Sequence, residues 1–175
     1  MTRPRDSQRA RLYRAEGEVA TGRRLPTVER MQSYVDDVVA ADWFLARWEE
    51  RRFEVRPGFG HRRATADEDG ILQMPKWART ELVLLHEVAH CLTPRTVAAH
   101  GPEYAGVLLA LARRAMSPGT AQSLEDAFAR HGVRWTLSAV PTSSPVPAVA
   151  RAGGDGTTSR PASVRTARAT NPVRR

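Results

Sequence analysis

Apolar residues recur at helical spacing along most of this chain and alternate in only one stretch, so a helical protein with a small sheet, of class α+β, is expected. From Asp6 to Val19, Leu12, Ala15 and Val19 stand three and four apart, and Gly22 can close that helix. Pro26 and Thr27 open a second segment running to about Arg52, with Val28, Met31, Val35, Val38, Val39 and Leu45 near the same spacing. Thr27 suits its N-cap and Glu29 its first turn, and Trp43, Phe44 and Trp48 read as core anchors. The pattern then changes. Phe53-Glu54-Val55-Arg56, Ala64-Thr65-Ala66 and Ile71-Leu72-Gln73-Met74, separated by Pro57-Gly58 and Asp69-Gly70, predict a small antiparallel sheet. Ile71 and Leu72 fit either core positions or an exposed edge able to take an extended peptide. Trp77 to Leu92 is a nearly all-apolar helix that must be buried, and Thr93-Pro94 stops it. Pro102 to about Met116 is a second apolar helix, Ser117-Pro118-Gly119 a break, and Leu124 to His131 a last helix stopped at Gly132. Trp135 closes the domain.

Composition sets the boundaries. With 175 residues and 41% hydrophobic content, the chain has material for one compact core and a remainder. That remainder is residues 136–175, rich in Ser, Thr, Pro, Ala, Gly and Arg and poor in large apolar residues, as a disordered tail is. The net charge of +8 resolves into two basic arms. Residues 1–25 carry seven Arg against three acids, residues 136–175 six Arg against one, and residues 26–135 fourteen Lys or Arg against fifteen acids. Weak contact of the arms with nucleic acid is the partner class this admits. The longest apolar run, Tyr104 to Ala112, falls well short of the ~20 residues that cross a bilayer, and the start of the chain shows no signal sequence, so a soluble, cytoplasmic protein without membrane contact is expected. Cys91 is the single cysteine, which removes disulfide frameworks and Cys-rich metal sites and leaves His and carboxylate as metal ligands.

The chemistry sits in the apolar helix. His86-Glu87-Val88-Ala89-His90 places two imidazoles one turn apart on one face with a carboxylate between them, the H-E-x-x-H arrangement in which both histidines hold Zn²⁺ and the glutamate takes a proton from water. Burying three such groups in an apolar helix is costly unless they are paired or ligated. His100, ahead of Pro102, is the candidate third ligand, with Glu103 or Glu125 as the alternative donor. Glu87 is the candidate general base. Glu103 is a candidate partner for a ligand imidazole, and Tyr104 is a candidate for polarising the substrate carbonyl or, alternatively, a packing residue. His61 and His131 read as surface or capping residues, and Cys91 as core.

The combination of His86-Glu87-x-x-His90 with His100-Gly101-Pro102-Glu103-Tyr104 resembles the SprT/Spartan-type zincin metallopeptidases. More closely, it is similar to a family of small bacterial zinc metallohydrolases, uncharacterised in substrate. That resemblance extends to Asp6-x-Gln8-Arg9, Tyr13-x-Ala15-Glu16 and Ile71-x-x-x-Pro75-x-Trp77-Ala78-Arg79 and covers about residues 6–135. It implies a minimal zincin-like domain at residues 26–135 behind a basic N-terminal arm, with His86, His90 and His100 on zinc. The implied activity is metallopeptidase cleavage of amide bonds in a peptide or protein. Thr93 and Thr96 stand where a metzincin requires Gly and His, which sets that class aside. A nucleic-acid-associated protein with the metal domain as scaffold, and a purely structural zinc site, are the competing readings; the second has no need of Glu87.

Overall fold

The structure, a computed structural model, describes residues 4–48, 50–60 and 62–136. The disordered tail expected from residue 136 therefore lies, from 137 onward, outside the described residues. Among the described residues the chain is α+β, with six α-helices and one three-stranded sheet: α1 (Arg9–Gly17), α2 (Val28–Ala40), α3 (Asp42–Trp48), β1 (Glu54–Pro57), β2 (Thr65–Ala66), β3 (Ile71–Met74), α4 (Glu81–Leu92), α5 (Pro102–Ala115) and α6 (Pro118–Arg130). They fall in one compact unit. No helix among them is long and apolar enough to cross a membrane.

Local chemistry explains most of the helix ends. Thr27 caps α2, its hydroxyl accepting from the Arg30 N–H at 3.2 Å. The single helix expected from Thr27 to Arg52 is in fact two, because Ala41 takes extended backbone (φ −72°, ψ 138°) and Asp42 starts α3. The break lets Phe44 and Trp48 turn into the core, where they are almost completely buried. The expected break at Ser117-Pro118-Gly119 is instead the start of α6. Ser117 accepts from the Thr120 N–H at 3.2 Å and Pro118 occupies the first turn, where its missing N–H costs nothing.

The sheet is mixed, not antiparallel as expected. Its order is β1-β3-β2, with β1 parallel to β3 (Val55 opposite Leu72) and β2 antiparallel to β3 (Ala66 opposite Leu72). The β2–β3 turn is a tight hairpin built by Asp67, whose Oδ1 accepts from the N–H groups of Asp69 and Ile71, with Gly70 at φ 81°. No such turn joins β1 to β2. After Pro57 the chain crosses the end of β3, and a Cβ at Gly58 would lie 2.5 Å from the Pro75 nitrogen. Alternation alone carries no record of this crossover. It makes β3 the central strand, with Leu72 and Met74 fully buried, so the Ile71–Met74 edge does not exist. The outer side of β1 is satisfied by Gln32 of α2, which donates to the Phe53 carbonyl and accepts from the Val55 N–H. β2 is the other outer strand.

Trp77 to Leu92 is also not one helix. Lys76–Ala78 forms a 3₁₀ turn, and α4 begins only at Glu81. The first N–H groups of α4 are taken by the loop after α1, Glu81 donating to the Arg23 carbonyl at 3.1 Å and Leu82 to the Thr21 carbonyl at 3.0 Å. Glu81 returns the bond by accepting from the N–H and side chain of Arg23 at 2.8 and 2.6 Å. Gly22, at φ 76°, lies so close that a Cβ would meet the Glu81 carboxylate at 2.5 Å. This loop fixes where α4 starts and hence which way His86 faces.

α4 and α5 form the centre of the core, with Leu84, Leu85, Val88, Ala89, Leu108, Leu109 and Leu111 wholly buried. α1 belongs to the same core through Leu12 and Ala15 and packs on α6. Its N-terminal end is tied down by Gln8, whose amide donates to the Arg134 carbonyl at 2.9 Å and accepts from the Arg134 N–H at 3.1 Å. Thr136 donates to the Pro102 carbonyl at 2.9 Å, and its backbone passes so near α5 that only glycine fits at 106.

Candidate metal centre

The site is built from two helices and the turn between them. On α4, His86 and His90 stand one turn apart, their Nε2 atoms 3.1 Å apart and their rings at 76°. Two ligand nitrogens around one tetrahedral zinc stand roughly 3.4 Å apart, given Zn–N distances of about 2.0–2.1 Å, so this pair is close to that separation. After Leu92 the helix is closed by Thr93, whose hydroxyl donates to the Ala89 carbonyl at 2.7 Å, and Pro94 redirects the chain. The turn returns His100 to the other two, its ring centre 4.8 Å from that of His90 and 5.6 Å from that of His86. One nitrogen from each of the three residues lies within 4.8 Å of the others.

Carboxylates from the N-terminal segment hold two of these rings. Glu16 Oε1 accepts from His86 Nδ1 at 2.8 Å, and Asp6 Oδ2 accepts from His100 Nδ1 at 2.6 Å. A proton on each Nδ1 leaves Nε2 as the lone-pair nitrogen facing the cluster, which is the orientation that metal ligation requires. His100 Nε2 makes the test. It is buried and has no hydrogen-bond partner, a costly condition for a polar nitrogen unless another group completes it. A divalent cation with a preference for imidazole fits this donor set.

The charges around the cluster pull in different directions. Burial disfavours the His86 imidazolium, but the Glu16 carboxylate, helped by Glu87, outweighs it and raises the His86 pKa. For His100 burial prevails over Asp6 and lowers the pKa, which favours the neutral ring. Burial pushes Glu87 up to about 6, against the pull of His86 and with a small further rise from Glu16. A carboxyl poised there is suited to accepting and returning a proton near neutral pH. His86 and Glu87 form part of the wall of a cleft of about 370 Å³, together with Tyr13, Glu16, Gly17 and Thr21 on the α1 side and Arg63, Ala64, Trp77, Leu82 and Val83 on the other.

Tyr104 is fully buried and its hydroxyl donates to the His86 carbonyl at 3.1 Å, so it supports α4 from below and has no hydroxyl to offer a substrate. It is Asp6, not Glu103, that sits on His100. Glu125 pairs with Arg113 at 2.6 Å and takes no part in the histidine cluster. His131 ends α6 and meets Glu18 at 2.7 Å. Cys91 is partly buried, its thiol turned to the Asp67 carbonyl at 3.4 Å. His61 lies outside the described residues. Asp6 and Glu16 were missed as site residues, because their pairing with histidines 94 and 70 residues away left no local signal. No protein-family model, curated protein or solved structure matches this chain.

Proposed function

We propose that this chain is a zinc-dependent hydrolase of zincin-like type, a metallopeptidase cleaving amide bonds. The observation that carries the reading is the buried His86/His90/His100 cluster with an unpartnered His100 Nε2 and a raised carboxyl at Glu87 beside it. His86, His90 and His100 would hold the ion. Bound zinc supplies Lewis-acid activation of water and polarisation of a carbonyl. The protein does the rest. Glu16 and Asp6 keep two ligand rings in the productive tautomer and orientation. Glu87 takes the proton released as water adds to the amide carbon and delivers it to the departing nitrogen. The cleft beside Glu87 is lined from Gly17 to Trp77, and Arg63 and Ala64, just ahead of the outer strand β2, border it.

The test is metal analysis of purified protein together with cleavage of a fluorogenic peptide library. The wild type is expected to carry one zinc and cleave a subset of peptides. Glu87→Gln is expected to keep the zinc and lose cleavage by at least about 100-fold, the lower end of the usual contribution of a general base. Cleavage at the wild-type rate by Glu87→Gln would overturn the reading.

A further inference from the structure

One face of α1 and its approach carries four polar residues, Asp6, Arg9, Tyr13 and Glu16, at spacings of three, four and three. That repeat places them in a line along the helix. The two outer members hold ligand imidazoles. Tyr13, between them, has its ring 5.7 Å from that of His86, nearly parallel at 18°, and 5.0 Å from that of His100, edge-on. It shares the cleft wall with Glu87 and is 39% exposed, in contrast to the sealed Tyr104. The Arg9 guanidinium lies 5.4 Å from the Tyr13 ring centre. A guanidinium only donates, so the hydroxyl's own hydrogen is left for another acceptor.

We propose that the Tyr13 hydroxyl is the donor that stabilises the negative charge developing on the substrate's carbonyl oxygen. This rests on the hydrolase reading above. As water adds, the new C–O bond forms, the carbonyl π pair moves onto oxygen, and the water proton passes to Glu87. Tyr13 donates a hydrogen bond to that oxygen without giving up its proton. When the C–N bond breaks the pair returns to the carbonyl, and the proton on Glu87 leaves with the amine. Donors aimed where charge appears are worth more in a water-poor cleft than in bulk solvent. Burial raises the Tyr13 pKa, and the positive charge of Arg9 works against that rise.

Tyr13→Phe keeps the ring packed on His86 and removes only the hydroxyl. In zinc-loaded protein it is expected to keep its metal and lose about 100-fold in kcat with KM little changed, as for loss of one oxyanion donor. A second readout needs no turnover: acetohydroxamic acid, which presents an oxyanion to a bound zinc, is expected to bind the variant about tenfold more weakly, the loss of one charge-assisted hydrogen bond. Unchanged kcat together with unchanged acetohydroxamate affinity overturns the proposal, and so does loss of zinc by Tyr13→Phe, which would make the residue structural. If wild type and Glu87→Gln are equally inactive, the hydrolase reading fails and takes the proposal with it, whereas an active wild type matched by Tyr13→Phe fails the proposal alone. A wild-type protein that binds no zinc sinks both, and metal analysis identifies that case first.

Discussion

Glu87 is nearly sealed from solvent, and keeping a carboxyl there has a cost that pH reveals. Its pKa of about 6 stands above the ordinary 4.5, so the folded protein holds that proton more tightly than the unfolded chain does. The stabilising contribution is complete below about pH 4.5 and is lost as pH rises through about 6. In the metal-free protein at pH 7.5, a shift of this size corresponds to about 2 kcal/mol of destabilisation. Glu87→Gln in the presence of EDTA should therefore raise the urea midpoint at pH 7.5 and match the wild type at pH 4; a lower midpoint at pH 7.5 would contradict this. That a glutamate costs stability where an apolar residue would not fits a position kept for its chemistry. The H-E-x-x-H pair was legible in the sequence because its geometry is local to one helix turn. The same logic could not reach Asp6 or Glu16, whose partners are brought to them only by the packing of α1. Nor could it decide Tyr104, whose hydroxyl is used up by a backbone carbonyl one helix away.

The element that most changes the picture is α1. Read as part of a basic arm, it carries seven arginines' worth of neighbouring charge. In the structure α1 and the residues just before it lay two carboxylates against the histidine cluster, while Leu12 and Ala15 enter the core. Replacing such carboxylate partners commonly lowers metal affinity 10–100-fold. Asp6→Ala and Glu16→Ala should each weaken zinc by about that factor in competition with a chromophoric chelator, and equal affinity in either variant would remove that carboxylate from the site. At this scale the sequence carried the helices well, because periodicity, Thr27, Pro102 and Gly132 act locally. It carried their interruptions poorly. Nothing in the apolar pattern around Ala41 marks the break between α2 and α3. The start of α4 depends on carbonyls of Arg23 and Thr21, 58 and 61 residues upstream of their donors, which no window around Trp77 contains.

Across the whole molecule, α+β class was legible from the mixture of periods, but the direction of β1 was not. Strand alternation reports which face is buried and is silent on whether a neighbour runs with or against it. The crossing at Gly58 decides that, and its signature is a steric requirement between Gly58 and Pro75, 17 residues apart. The consequence for the site is that Arg63 and Ala64, which lead into β2, border the cleft, and not the residues of β3.

The amide of Gln8 closes a loop of 126 residues onto Arg134. A chain is made from its N-terminus at about 5–20 residues per second, so α1 waits roughly 6–25 s before the residue that anchors it exists. Over the end of that interval, once His100 has been made, His86, His90 and His100 are complete in sequence, yet the segment bearing Asp6 and Glu16 lacks its fastening. A metal held by this cluster would thus be secured late, at the end of translation of the compact unit. Ribosome-bound chains arrested short of Arg134 should retain zinc less well than chains arrested far enough beyond Thr136 to expose it; equal retention would mean that α1 docks without its clasp.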